Sequence, residues 1–173
     1  MSQLIITIGC SGAGKSYVYE KGYRDFALVC PDDIRKEITG DVSDQSKNRE
    51  VWDIAYHRLA DLVADGKDVY FSATNCKMKT IREIVNTAKE ANENIEITLL
   101  TLRDSFDVNL CIKRVQSDIA NKVDRSNTLN IDEKTGLNII EKQHHNFLHL
   151  QQYFNTPEFR QFKNQFGIKE EIL

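Results

Sequence analysis

The sequence predicts a three-layer α/β fold: a parallel sheet with helices on both faces and a helical lid. Three observations carry this. Short apolar, β-branched runs alternate with longer stretches of helical periodicity, the pattern of repeated strand–helix–strand units. A glycine-rich segment separates the first such run from the first helical stretch. The 173 residues contain only two prolines, and neither repeats nor low-complexity tracts occur, so one domain with a continuous core is expected.

Taken in order, residues 4–8 (Leu-Ile-Ile-Thr-Ile) read as a buried strand. No breaker follows Lys15 until Gly22, so a helix starts at Lys15. Residues 26–29 read as a short second strand, and Pro31 marks its exit by keeping Cys30 out of the helical region. Residues 48–65 read as a helix, with Val51, Ile54, Ala55, Leu59, Leu62 and Val63 at helical spacing and Gly66 closing it. Residues 69–71 form a third buried strand. Residues 79–91 are amphipathic, with Ile81, Ile84, Val85 and Ala88 inward. Residues 95–102 are a fourth strand. Residues 106–115 read as helix on Val108, Cys111, Ile112 and Val115. Residues 117–130 are polar and aperiodic, which predicts a mobile lid. Residues 132–154 return to helix, with Leu137, Ile140, His144, Phe147, Leu148 and Gln151 in register. Residues 1–173 therefore read as one domain, with the lid at about 117–130 and a C-terminal helical segment over 132–173. In such a sheet, ligands bind at the carboxyl ends of the strands.

Composition narrows the function classes. Hydrophobic residues make up 40% and charged residues 28%, ordinary for a soluble globular chain. No apolar run reaches membrane-spanning length, and Met1-Ser2-Gln3 leads straight into a strand without a secretion signal. Cys10, Cys30, Cys76 and Cys111 lack metal-type spacing, which predicts reduced thiols in a cytoplasmic protein. The net charge of -3 argues against a broad basic face for nucleic acid, but leaves room for capture of a single strand end. His144 falls in an apolar stripe and reads as a satisfied core histidine. Trp52 and Tyr56 could line a groove where bases stack, though core packing is the simpler reading. Phe159, Phe162 and Phe166 share a helical face, for docking onto the domain or for a homo-oligomer contact.

Residues 9–16, Gly-Cys-Ser-Gly-Ala-Gly-Lys-Ser, fit the pattern G-x-x-x-x-G-K-[ST] without deviation. The strand before and helix after supply the context that gives the motif meaning. Gly9, Gly12 and Gly14 free the backbone to turn successive N–H groups inward, onto the phosphates of a nucleotide at a helix N-terminus. Gly9, Ser11, Gly12, Ala13, Gly14, Lys15, Ser16 and Tyr17 are the expected nucleotide-binding set. Lys15 would neutralise phosphate charge, and the Ser16 hydroxyl would ligate Mg²⁺. ATP with Mg²⁺ is the expected cofactor.

A second constellation follows the second strand. Asp32, Asp33 and Arg35 come directly after Pro31, and an acid and an arginine three apart share a helix face. Facing a triphosphate, the acid can accept the proton of an attacking hydroxyl and the arginine can hold an acceptor phosphate or carboxylate. The competing reading is a helix N-cap by Asp32 or Asp33 with Arg35 exposed.

Residues 6–16 with their phosphate loop, Asp32 to Arg35, and Ser72-Ala73-Thr74-Asn75 together resemble the kinase domain of the phage-type 5′-hydroxyl polynucleotide kinases, across roughly residues 4–125. The resemblance implies a phosphate-loop kinase fold, cytoplasmic (in the host cell if phage-encoded), with nucleic-acid 5′ ends, DNA or RNA, as substrate. It implies that Asp32, with Asp33 as fallback, is the general base and that Arg35 engages the acceptor nucleotide's phosphate. Lys113-Arg114 resembles the basic pair that leads into the family's lid. Two departures stand out. Ala73 occupies a position that carries an aspartate in the family. Asp118 aligns with a lid arginine, leaving Arg114 and Arg125 as the lid candidates, with Lys122 as a further basic residue. The phosphatase half found in some members has no counterpart here. Two other functions fit the motifs: a kinase for nucleosides or other hydroxyl metabolites, and a degenerate ATP-binding regulatory protein.

Overall fold

In this computed structural model the backbone is described over residues 1–173, and side chains at all positions except Ser126 and Asn127. Five strands form one sheet: β1 (Gln3–Ile8), β2 (Ala27–Val29), β3 (Val69–Phe71), β4 (Glu96–Thr101) and β5 (Lys169–Ile172). Their order is β2-β3-β1-β4-β5, and every pairing is parallel. Parallel neighbours need crossover connections. These are supplied by α1 (Lys15–Gly22), α2 (Pro31–Thr39), α3 (Asn48–Ala64), α4 (Met78–Ala91), α5 (Val108–Ala120), α6 (Ile139–Tyr153) and α7 (Pro157–Phe166). The expected three-layer α/β architecture is present. β1 is central, and its Leu4, Ile6 and Ile8 are fully buried. The strand ends after β1, β2, β3 and β4 open along one edge of the sheet, where the loops gather.

Three boundaries differ from the expectation. Residues 103–106 form a 3-10 turn, and α5 starts only at Val108, N-capped by Asp107, whose Oδ1 accepts from Leu110 N at 3.0 Å. The same helix runs on to Ala120, so the segment expected as aperiodic from residue 117 begins as the last turn of α5. Residues 132–138 are not helical. α6 starts at Ile139, where Asn138 and Glu141 form a reciprocal capping box that satisfies two orphan amides. The C-terminal segment is not wholly helical either. It ends in β5, four exposed residues that pair with β4 from Thr98↔Lys169 to Thr101↔Ile172.

The phenylalanines of α7 dock onto the domain. Phe159 and Phe162 are buried, and Phe159 stacks on Phe154 with centroids 4.1 Å apart. Trp52 and Tyr56 also pack inward: Trp52 stacks on Phe71, and the Tyr56 hydroxyl donates to Glu83 at 2.9 Å.

Candidate functional site

The loop between β1 and α1 has the backbone that its glycines allow. Gly12 and Gly14 take φ values of 83° and 100°, a region that costs any other L-residue about 1–2 kcal/mol. Gly12 also lies against α5: a Cβ there would sit 2.4 Å from the Cys111 carbonyl oxygen, which the helix cannot move. Gly12→Ala is therefore expected to destabilise the fold by about 2–5 kcal/mol, read as a lowered urea midpoint. A midpoint unchanged from wild type would mean that the loop and α5 do not approach this closely.

Several contacts fix the loop. Gly9 N donates to Thr74 O at 3.0 Å and Ala13 N to Cys10 O at 3.1 Å. Cys10 N donates to Ser105 Oγ at 3.0 Å, and Ser11 N to Gln143 Oε1 at 2.8 Å. Tyr70 OH donates to Lys15 O at 3.0 Å. The amides of Gly12, Gly14, Lys15 and Ser16 have no acceptor among the described residues. Unpaired amides at a helix N-terminus form an anion cradle.

Lys15 Nζ lies in the mouth of this cradle, donating to Gly9 O at 3.0 Å and Cys10 O at 2.8 Å. Burial pushes its ammonium below the ordinary lysine value; Cys76, Cys10 and Asp32 act the other way, and Arg125 adds to the lowering. A phosphate would stabilise the charged form. Nucleotide affinity is expected to fall as pH rises through the lowered Lys15 value, because binding must then take up a proton. Affinity titrations at increasing alkaline pH check this; a constant affinity up to about pH 10, close to an unperturbed lysine, would contradict it.

Two cavities adjoin the loop. One, of about 260 Å³, is lined by Gly12, Gly14, Lys15, Ser16, Tyr17, Arg114, Ser117, Asp118 and Arg125. The other, of about 580 Å³, is largely apolar and lined by Ala13, Gly14, Tyr17, Val18, Leu102, Arg103, Asp104, Arg114 and Leu173. Arg114 stands between them, donating to Gly12 O at 3.2 Å and pairing with Asp104 at 2.8 Å. Arg125 pairs with Asp118 at 2.7 Å. Asp118, at the position where the resemblance calls for a basic lid residue, thus carries an arginine from further along the chain.

After β2, α2 begins with Pro31 at its first turn, and Cys30 N-caps it with its backbone alone. Neither Asp32 nor Asp33 caps with its side chain, and Arg35 is not exposed. Arg35 is 5% accessible and pairs with Asp32 at 2.5 Å. It also donates to Asn48 Oδ1 at 3.0 Å. Its Nε is buried without a partner. Asp32 is itself open to solvent, so the arginine is anchored and the carboxylate is presented. At Ala73 the carbonyl accepts from Thr7 Oγ1 at 2.9 Å, and the side chain offers no carboxylate. Asn75 turns the strand end with φ 47° and donates to Thr7 O at 2.8 Å.

Sequence spacing did not single out Ser105, Gln143, Asn48 or Tyr70. The first two come from beyond β4. His144 Nδ1 meets Ser105 O at 2.9 Å, so α6 braces the loop twice, through Gln143 and through the His144–Ser105 pair. The capping box at the start of α6 was the readable signal that a helix is set there.

Among the described residues, no helix is long and apolar enough to cross a membrane, and no group of three or more His, Cys, Asp or Glu could hold a metal. The family described as AAA domain matches residues 4–127. In fold, the chain is similar to a chain in the structure of the Pnkp1/Rnl/Hen1 RNA repair complex, with TM-score 0.67 and 19% identity, covering 89% of this chain and 46% of that one. A second structure of the Pnkp1/Rnl/Hen1 complex gives TM-score 0.58 and 18% identity over 80% of this chain and 44% of that one. A Chloroflexus aurantiacus protein whose kinase activity is conjectural in its description gives 0.55 and 20%, over 70% and 69%. The chain thus spans less than half the length of the first two matched chains. No curated protein matches the sequence.

Proposed function

The chain belongs to the AAA domain family, and from that premise we propose that it is an ATP-dependent kinase transferring the γ-phosphoryl group to the 5′-hydroxyl of DNA or RNA. The observation that carries the reading is the meeting of two constellations around Lys15. Arg114 and Arg125 line the phosphate cradle with Lys15, and Asp32, held by the anchored Arg35, lies near enough to act on the Lys15 charge.

The residues fit the nucleotide. Unpaired amides and the Lys15 ammonium match the phosphates. The apolar cavity beside Tyr17 and Val18 matches a base and its ribose. Ser16, in the first turn of α1, would hold Mg²⁺, which when bound neutralises charge on the β- and γ-oxygens. Asp32 accepts the proton of the attacking hydroxyl as the new O–P bond forms and the bond to the ADP oxygen breaks. Arg35 holds the phosphate on the acceptor's first nucleotide. Arg114 and Arg125 would turn from their carboxylate partners onto the transferring group. Most of the acceleration comes from positioning and charge neutralisation.

The net charge of -3 favours a second reading, a small hydroxyl acceptor such as a nucleoside. Ala73 in place of the family carboxylate favours a third, a protein that binds ATP without transfer. Transfer of labelled γ-phosphate from ATP, with Mg²⁺, to an oligonucleotide bearing a free 5′-hydroxyl separates them, with nucleosides in parallel. Label on the oligonucleotide is expected. Label on the nucleoside alone would replace the acceptor, and tight ATP binding without label on either would leave the regulatory reading.

A further inference from the structure

The floor of the phosphate loop holds a pair of thiols that the proposed reaction does not use. β1 and β3 pair in register from Leu4↔Val69 to Ile6↔Phe71, and the same offset continues past the strands in the bond from Gly9 N to Thr74 O. Cys10 therefore follows the β1 end beside Asn75, which takes a left-handed φ of 47° directly before Cys76. Neighbouring parallel strands run about 4.8 Å apart, within the Cα separation of about 4.4–6.8 Å that a disulfide spans. Each thiol perturbs the other, Cys10 being held above and Cys76 below the ordinary cysteine value chiefly by their mutual interaction, and Cys76 donates to Thr74 O at 3.2 Å. Cys10 is fully buried, whereas Cys76 retains 6% exposure.

We propose that Cys10 and Cys76 form a peroxide-sensitive dithiol whose oxidation to a disulfide switches off nucleotide binding. The chemistry closes on itself. The Cys76 sulfur attacks hydrogen peroxide, the O–O bond breaks, and Cys76 sulfenic acid and water form. The Cys10 sulfur then attacks the Cys76 sulfur, the S–O bond breaks, and the departing hydroxide takes the Cys10 proton as a second water. Two thiols lose two electrons, and one peroxide gains them.

Cys76 is the first to react. The Cys10 thiol, and after it the Lys15 ammonium, hold its thiol below the ordinary cysteine value against burial, and a thiolate beside a cation is the reactive form. Cys30 and Cys111 are pushed up to about 11, chiefly by burial. The consequence for the loop follows from Lys15, whose Nζ rests on the carbonyls of Gly9 and Cys10. Bonding the sulfurs at about 2.05 Å draws Cys10 toward β3, and those carbonyls must follow because the Cys10 side chain has no free space.

The test treats the reduced protein with hydrogen peroxide under native conditions, then reads intact mass, a non-reducing peptide map and the affinity for a fluorescent ATP analogue. The expected result is loss of two hydrogens, a linkage between residues 10 and 76, and an affinity lowered at least about tenfold, which dithiothreitol restores. Cys76→Ala, with Cys76→Ser as a second variant, is expected to bind the analogue equally before and after peroxide. Absence of the 10–76 linkage, or a linked protein with unchanged affinity, overturns the proposal. None of the three readouts depends on the acceptor, so failure of transfer to a 5′-hydroxyl leaves this result standing on its own.

Discussion

Lys15→Ala is expected to lower γ-phosphoryl transfer by at least about a thousandfold, measured in single turnover at saturating ATP. The size follows from where the charge sits. Lys15 is the half-buried cation of the cradle, in a site where desolvation already disfavours its ammonium. Charge held ready in a desolvated site acts on the transition state without reorganisation. The fold should survive the change, because Nζ contacts only two loop carbonyls and removing a buried charge relieves a desolvation cost. Thermal unfolding is the control: a midpoint within about 5 °C of wild type corresponds to no more than about 1–2 kcal/mol. Transfer retained within tenfold would mean that the phosphates are held elsewhere.

Asp32→Asn is expected to reduce kcat by about 10²–10⁴, the range ascribed to a positioned general base, with ATP affinity unchanged. The amide retains an oxygen for Arg35, so the anchored guanidinium keeps its partner while the proton acceptor is lost. Asn48 Oδ1 holds the same guanidinium independently at 3.0 Å. The variant thus separates proton transfer from positioning. A rise in the acceptor KM with kcat intact would show that Asp32 serves through Arg35 and not as the base.

The two constellations differ in how far local sequence reveals them. The phosphate loop is legible because its chemistry is local: eight consecutive residues carry the turns, the amides and the cation. Pro31 likewise betrays the start of α2. The burial of Arg35 is not legible, since it depends on the Val42 carbonyl, in a loop with no pattern of its own, and on the Asn48 side chain, whose partner helical spacing does not specify. β5 is hidden for a different reason. Lys169, Glu170 and Glu171 are poor strand formers, and their pairing comes from the backbone edge that β4 offers, an instance of context overriding propensity. Apolar spacing alone extends α6 back to residue 132. The Asn138–Glu141 cap marks where it begins.

The bracing of the loop by Gln143 joins positions 132 residues apart. A nascent chain emerging from a ribosome exposes the whole glycine-rich motif early, yet the atom that orients Ser11 N is made much later. Translation thus presents the motif well before its final support is available. The order in which α6 docks sets when the newborn protein first holds a finished nucleotide site.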